Sequence, residues 1–206
     1  MIHGIQSRLT LWITLCIGSG ALFGQDKLES PKAKSNEPIL ARASDSNRVP
    51  DVIFVPTPQD AVDKMLELAE VKKGDKVYDL GCGDGRIVVT AGKKYGAKGV
   101  GIDIDPKRVE ESKANVQSNH VENLVTIKEG DIFKEDFSDA DVVTLYLLPS
   151  LNVKLIPQLE KLKPGARIVS YQFNMEGVKP VQTYTGNGRY TIYKWVSPLN
   201  RETKPK

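Results

Sequence analysis

A chain of 206 residues, with 29 Lys and Arg against 26 Asp and Glu and a net charge of +3, is long enough for one catalytic-sized domain with extensions. So small an imbalance, in basic residues that are scattered rather than striped with aromatics, gives no nucleic-acid footprint. Cys16 lies in an N-terminal apolar run, and the remainder holds only Cys82 and His120, which excludes a disulfide framework or a zinc cluster of the usual ligands.

The N-terminus opens with Arg8 before the apolar run Leu9-Thr10-Leu11-Trp12-Ile13-Thr14-Leu15-Cys16-Ile17, and Gly18-Ser19-Gly20-Ala21 follows. Charge, short apolar core and small residues in that order predict a signal peptide over residues 1–24, cut after Ala21 or Gly24. The run is shorter than the roughly 20 apolar residues of a membrane span. An uncleaved anchor is the alternative, and Leu15 before Cys16 argues against lipidation. In both readings the N-terminus contacts a membrane, during export or as an anchor, and Arg8 places the rest of the chain outside the cytosol. A cytoplasmic protein is the third reading. Residues 25–49 are polar and aperiodic and are expected to form a disordered linker.

A domain is expected over residues 50–197, with a tail at 198–206. Thr57-Pro58-Gln59-Asp60 offers an N-cap hydroxyl, an early proline and an acidic N3 position, and Val62, Met65, Leu66 and Ala69 then form an apolar helical stripe. Gly74-Asp75 turns into a strand at Lys76–Leu80. That strand runs into Gly81-Cys82-Gly83-Asp84-Gly85, and a helical pattern follows over 85–95. A glycine turn beside a helix N-terminus frees N–H groups for a ligand carrying negative charge. Dinucleotide binding needs G-x-G-x-x-G, whose third small residue packs helix on strand. Here Arg86 stands at that position, which argues against an NAD-dependent oxidoreductase.

Further strands are expected at 97–103, 123–128 and 141–146, with a helix at 106–118 begun by Pro106. A helix from Pro149 carries Leu151, Leu155, Leu159 and Leu162 on one stripe until Lys163-Pro164-Gly165 stops it. A strand over 167–173 follows, and then two alternating runs, 178–184 and 190–196, joined by Thr185-Gly186-Asn187-Gly188-Arg189 as a hairpin. This succession predicts an α/β, Rossmann-like three-layer sandwich. Its seven-stranded sheet is mostly parallel, with one antiparallel edge strand.

Asp79 followed by Gly81, Gly83 and Gly85 at alternate positions resembles motif I of the class I S-adenosylmethionine (SAM)-dependent methyltransferases. The resemblance extends over about residues 55–175 and implies SAM as cofactor, held by Asp79, Gly81, Cys82, Gly83 and Gly85. An acidic residue ending the second strand would take the ribose hydroxyls. Asp103, with Ile104 beside it, fits that place better than Asp105, which lies past the strand end next to Pro106. After Gly130, Asp131 would bond the adenine amino group, with Ile132 flanking the ring. Tyr146, at the end of the fourth strand, is the candidate catalytic residue facing the acceptor. Plainer readings stand beside these: Asp103 as a helix N-terminal acid, Asp131 as a turn residue, Cys82 as a small packing residue, and Tyr146 as core.

Phe54-Val55-Pro56-Thr57-Pro58 and Asp84-Gly85-Arg86-Ile87-Val88 look like uncharacterised bacterial methyltransferases. They are also similar to the mitochondrial protein-lysine methyltransferases that act on the ATP synthase c-ring or the adenine nucleotide carrier. Tyr146-Leu147-Leu148-Pro149-Ser150 departs from the substrate-side motif of the mitochondrial group. The resemblance therefore implies in-line methyl transfer to a protein lysine or a small molecule, with a non-catalytic SAM-binding module as the alternative of another class. Neither a metal nor a nucleic-acid partner is expected. The sulfonium already activates the methyl group, so the protein's task is positioning. A lysine acceptor, with a free pKa of about 10.4, must first lose its proton.

Overall fold

The computed structural model describes residues 54–186 and 188–202. The predicted signal peptide, the linker and the question of export lie outside the described residues.

Among the described residues, the elements follow the expected alternation: α1 (Gln59–Leu68), β1 (Lys76–Leu80), α2 (Arg86–Thr90), a π-helical turn (Ala91–Tyr95), β2 (Lys98–Asp103), α3 (Pro106–Ser118), β3 (Val125–Glu129), β4 (Val142–Leu145), α4 (Pro149–Leu159), β5 (Arg167–Tyr171), β6 (Gln182–Thr185) and β7 (Thr191–Val196). The sheet runs in the order β3-β2-β1-β4-β5-β7-β6. β1 to β5 pair in parallel, while β7 is antiparallel to both β5 and β6. The reversed strand thus lies one place in from the edge, and β6 closes the sheet in the common direction.

Central strands covered on both faces read as continuous apolar runs, because neither face meets water. Every residue of Val142–Leu145 is buried, as are Val77, Tyr78, Asp79 and Leu80 of β1. Successive residues serve opposite cores. Val77, Val142 and Val169 pack with Val62, Met65 and Leu66 of α1 and with Ile87 of α2. Tyr78, Val143 and Ile168 pack with Leu155 and Leu159 of α4 and with Trp195. From β1 the chain steps outward to β2 and β3 on one side, then returns to β4 on the other, so the winding reverses at β1. A crevice opens at such a switch point, beyond the carboxyl ends of the strands.

Several boundaries differ from the sequence expectation. Pro58, not Thr57, is the flanking residue of α1, and no side chain caps that helix. Thr57 is buried, and its carbonyl accepts a hydrogen bond from Arg86 Nη1 at 2.8 Å. The helix expected over 85–95 splits into α2 and the π-helical turn. The Thr90 hydroxyl donates back to Arg86 O at 2.7 Å, a contact that loosens the helical ladder. Leu162 is buried but lies beyond the end of α4. β6 begins only at Gln182, because Pro180 cannot donate to a ladder. Val178 bridges Arg201 instead, and Glu202 N donates to Gly177 O at 2.9 Å, so the chain past residue 198 is tied to the domain through Glu202.

Candidate active site

Residues 81–85 turn sharply at the end of β1. Gly81, Gly83 and Gly85 have φ of 80°, 55° and 75°, the left-handed region where a side chain is strained. The N–H groups of Gly81 and Cys82 both donate to Ile102 O, at 2.8 and 3.0 Å, fastening the turn to β2. The other end is fastened by Asp103, whose carboxylate accepts from Gly83 N at 2.8 Å and from Asp105 N at 3.0 Å. Asp105 itself is the N-cap of α3, accepting from Lys107 N at 2.9 Å. Both acids near Pro106 line the crevice, Asp103 fastening the glycine turn and Asp105 starting the helix.

A cavity of about 730 Å³ opens at the switch point, within the size range of cofactor pockets. Asp79, Gly81, Cys82, Asp103, Ile104, Asp131, Ile132 and Tyr146 all line it. Gly83 and Gly85 do not, and their Cβ directions show why they are glycines. A Cβ on Gly83 would lie 2.0 Å from the Phe54 ring, and one on Gly85 would lie 2.9 Å from Ser112 Cβ on α3. These two glycines shape the turn and its packing rather than the cavity wall.

The cavity has two chemically distinct ends. Toward β1, β2 and β3 it gathers the carboxylates of Asp79, Asp103 and Asp131. Asp79 is 3 % exposed, and its carboxyl accepts from the Thr144 hydroxyl at 2.7 Å. Burial pushes the Asp79 pKa up to about 7; the Thr144 bond opposes the shift, and the charges of Asp103 and Asp84 add to it. Asp103 is also raised, first by burial, against the backbone N–H groups that favour its charged form. Burial raises the Cys82 thiol too, which disfavours the thiolate. Toward β4 and β5 the wall is apolar and aromatic: Tyr146, Leu147, Leu148, Leu151 and Phe173.

Sequence reasoning missed much of this second end, together with Phe54 and Arg108. Phe54 rests over Gly83, and the Arg108 guanidinium lies 4.7 Å above its ring. Phe54 stands in a family-like segment, but its contacts with Gly83 and Arg108 could not be read there, because they join segments far apart in the sequence. The arginines at the rim are neutralised. Arg86 pairs with Asp84 at 2.5 Å, and Arg108 with Glu111 at 2.6 Å. Burial opposes ionisation of Asp84, but Arg86 overrides it and holds that carboxyl below its usual range.

Comparison with known proteins gives this geometry its family. Residues 79–182 match the model of the ANTKMT methyltransferase domain. A protein-lysine N-methyltransferase of Saccharolobus islandicus is 46 % identical over 153 residues, covering 72 % of this chain and 95 % of that protein. A human lysine N-methyltransferase named for ATP synthase is 28 % identical over 155 residues, covering 74 % of this chain and 65 % of the relative. Among solved structures, an RNA methyltransferase of Salinibacter ruber in complex with S-adenosyl-L-homocysteine superposes with a TM-score of 0.68 at 48 % identity, over 74 % of this chain and 98 % of that one. The glycine turn and the strand-end acids line the crevice beyond β1 to β3, and the chain belongs to the ANTKMT-domain family of class I SAM-dependent methyltransferases.

Proposed function

We propose that this methyltransferase acts on the side-chain amine of lysine in a protein. The observation that carries the reading is the split cavity, in which a carboxylate-lined end adjoins an aromatic and leucine-lined end. The first end fits a cofactor with ribose, adenine and cationic groups. The second fits a long aliphatic stem ending in an amine. The lysine acceptors in the names of the Saccharolobus and human relatives support it. The Salinibacter structure is described as an RNA enzyme. In this chain, however, both arginines at the cavity rim are paired with carboxylates, which leaves neither as a phosphate anchor.

SAM supplies a methyl group already activated by its sulfonium. The chain's own work is orientation. Asp103, held by two backbone N–H groups, presents its carboxylate to the ribose hydroxyls. Asp131 and Ile132 line the same cavity and would hold the adenine. Tyr146 and Leu147 line the path of the incoming amine, and the Tyr146 hydroxyl can accept an N–H group from it once it is neutral. The proton leaves through the open mouth to water, since among the described residues no paired acid and base lines that end. Transfer is then an in-line displacement governed by proximity.

The test is to incubate the protein with methyl-labelled SAM and a cell lysate, before and after protease or ribonuclease treatment. Label in methyl-lysine after acid hydrolysis, lost to protease alone, is the expected result. Label lost to ribonuclease would replace this reading with RNA methylation, and label in the small-molecule fraction would replace it with a small acceptor.

We further propose that residues 1–24 direct export or anchor the protein at a membrane, as Arg8 and the short apolar run suggest. Fractionation with intact-mass measurement tests this. A full-length protein in the soluble cytosol would overturn it.

A further inference from the structure

Resting on the lysine reading, the residues just past β5 carry a more specific assignment. The backbone reverses there over one residue: Phe173 N donates to Tyr171 O at 2.8 Å across Gln172, whose φ is 64°. A γ-turn of this hand on a non-glycine residue is rare and strained, and such strain persists only where the surroundings enforce it. Here they do. Gln172 exchanges hydrogen bonds with the Thr191 backbone at 2.7 and 3.3 Å, and Ser170 Oγ donates to Phe173 O at 2.7 Å. From α4, fully buried Asn152 directs Nδ2 at Phe173 O and Asn174 O, at 3.3 and 3.4 Å. Among the described residues its Oδ1 has no hydrogen-bond partner. A buried polar atom left unsatisfied is unfavourable, so the amide sits there at a cost in stability.

What the turn delivers is the Phe173 ring, placed in the cavity wall beside Tyr146. The two rings are near parallel, 22° apart with centroids 6.1 Å apart, and both are half-buried. Tyr146 is braced in turn by the edge of Tyr171, with centroids at 4.7 Å and 89°. The aromatic row continues through Tyr190 to Tyr184, where Lys64 already sets its ammonium 5.0 Å from a ring centroid. Ring faces of this kind attract an alkylammonium and cover its methylene stem.

We propose that Phe173 and Tyr146 form the acceptor slot, with their ring faces turned to the stem and amine of the target lysine, and that Asn152 is a positioning residue that holds the γ-turn presenting Phe173. The slot selects an aliphatic cation over a flat or anionic acceptor, and it draws the amine beside the methyl donor before its proton is lost.

Calorimetry on the full-length protein tests this with a bisubstrate probe. The probe is S-adenosylhomocysteine with its sulfur replaced by nitrogen carrying an n-butylammonium arm. Its references are the N-methyl and uncharged n-butyl counterparts. Wild type should bind the armed probe about tenfold or more tightly than the N-methyl compound, with the uncharged arm recovering only part of the gain. Phe173→Leu, Phe173→Ala and Asn152→Ala should lose the gain while keeping their affinity for the N-methyl compound, which also shows that they are folded. Should Phe173→Ala fail to fold, Phe173→Leu carries the comparison. If the arm adds nothing in wild type, the lysine reading and the slot both fall. If wild type gains and the Phe173 variants gain equally, the slot alone is overturned. An uncharged arm as good as the charged one would remove selection for a cation.

Discussion

Replacing Asp79 with asparagine keeps the shape of a fully enclosed carboxyl and removes its ability to ionise. In the folded protein this group titrates at about 7, against 3.8 for an unperturbed aspartate, because burial disfavours its charge and Asp103 and Asp84 repel it. A difference of about three units, at 1.36 kcal/mol each, puts the penalty of holding it ionised at ~4 kcal/mol. The sign follows from proton linkage. Below pH 4 both the folded and unfolded chains are protonated at this site, and there is no penalty. Between pH 4 and 7 the unfolded chain releases the proton while the folded one retains it, so stability falls. Above pH 7 the penalty is complete and constant. Asp79→Asn should therefore unfold much like wild type near pH 4 and gain an advantage that grows to ~4 kcal/mol by pH 8. Denaturant unfolding of the ligand-free protein, followed by circular dichroism from pH 4.5 to 8.5, measures it. A stability difference that is flat across this range would refute the argument. Function adds a second readout. SAM brings cationic sulfonium and ammonium groups to this carboxylate-lined end, which favours the ionised acid, so wild-type affinity should rise with pH toward 7 and that part of the rise should vanish in Asp79→Asn.

Asp103→Ala should weaken SAM binding by about 1.5–3 kcal/mol through lost charge-assisted hydrogen bonds, whereas Asp105→Ala should mainly lower stability by about 1 kcal/mol by uncapping α3; titration and unfolding of both variants separate the roles, and a reversed pattern would show the wrong acid was chosen. Gly85→Ala puts a Cβ 2.9 Å from Ser112 Cβ at a φ of 75°, and the left-handed strain alone should lower stability by about 1–2 kcal/mol in a thermal melt. Gly83→Ala should displace Phe54 from its seat over the turn, seen as faster proteolysis near residue 54; unchanged cleavage would show that the contact is dispensable. Arg167→Ala removes the partner of buried Asp75, which it meets at 2.6 Å, and should cost about 3–5 kcal/mol by denaturant unfolding.

By itself the sequence determined the fold class, the order of elements and most of the residues at the carboxylate-lined end of the cavity. These are local signals. The apolar runs of β1 and β4 reveal strands buried on both faces, the Gly81–Gly85 spacing reveals a turn with positive φ, and Asp103 sits where a strand ends. Each can be read within a short window because backbone sterics and side-chain periodicity act over that distance. The tertiary structure decided what depends on close approach between distant segments. It showed that Gly83 makes room for Phe54, that Gly85 makes room for Ser112, and that the helix after Arg86 breaks into a π-helical turn at Ala91. It also decided the lining of the aromatic end of the cavity. Tyr146 could be read as a candidate from its place after β4, but Phe173 lay hidden inside an apparent strand over 167–173. Gln172 turns there with positive φ, against its own preference, because Thr191 and Asn152 hold the backbone from other parts of the chain, with a local bond from Ser170 beside them. Strain imposed by tertiary contacts leaves no local trace in the sequence, since the residue that carries it is not the residue that enforces it.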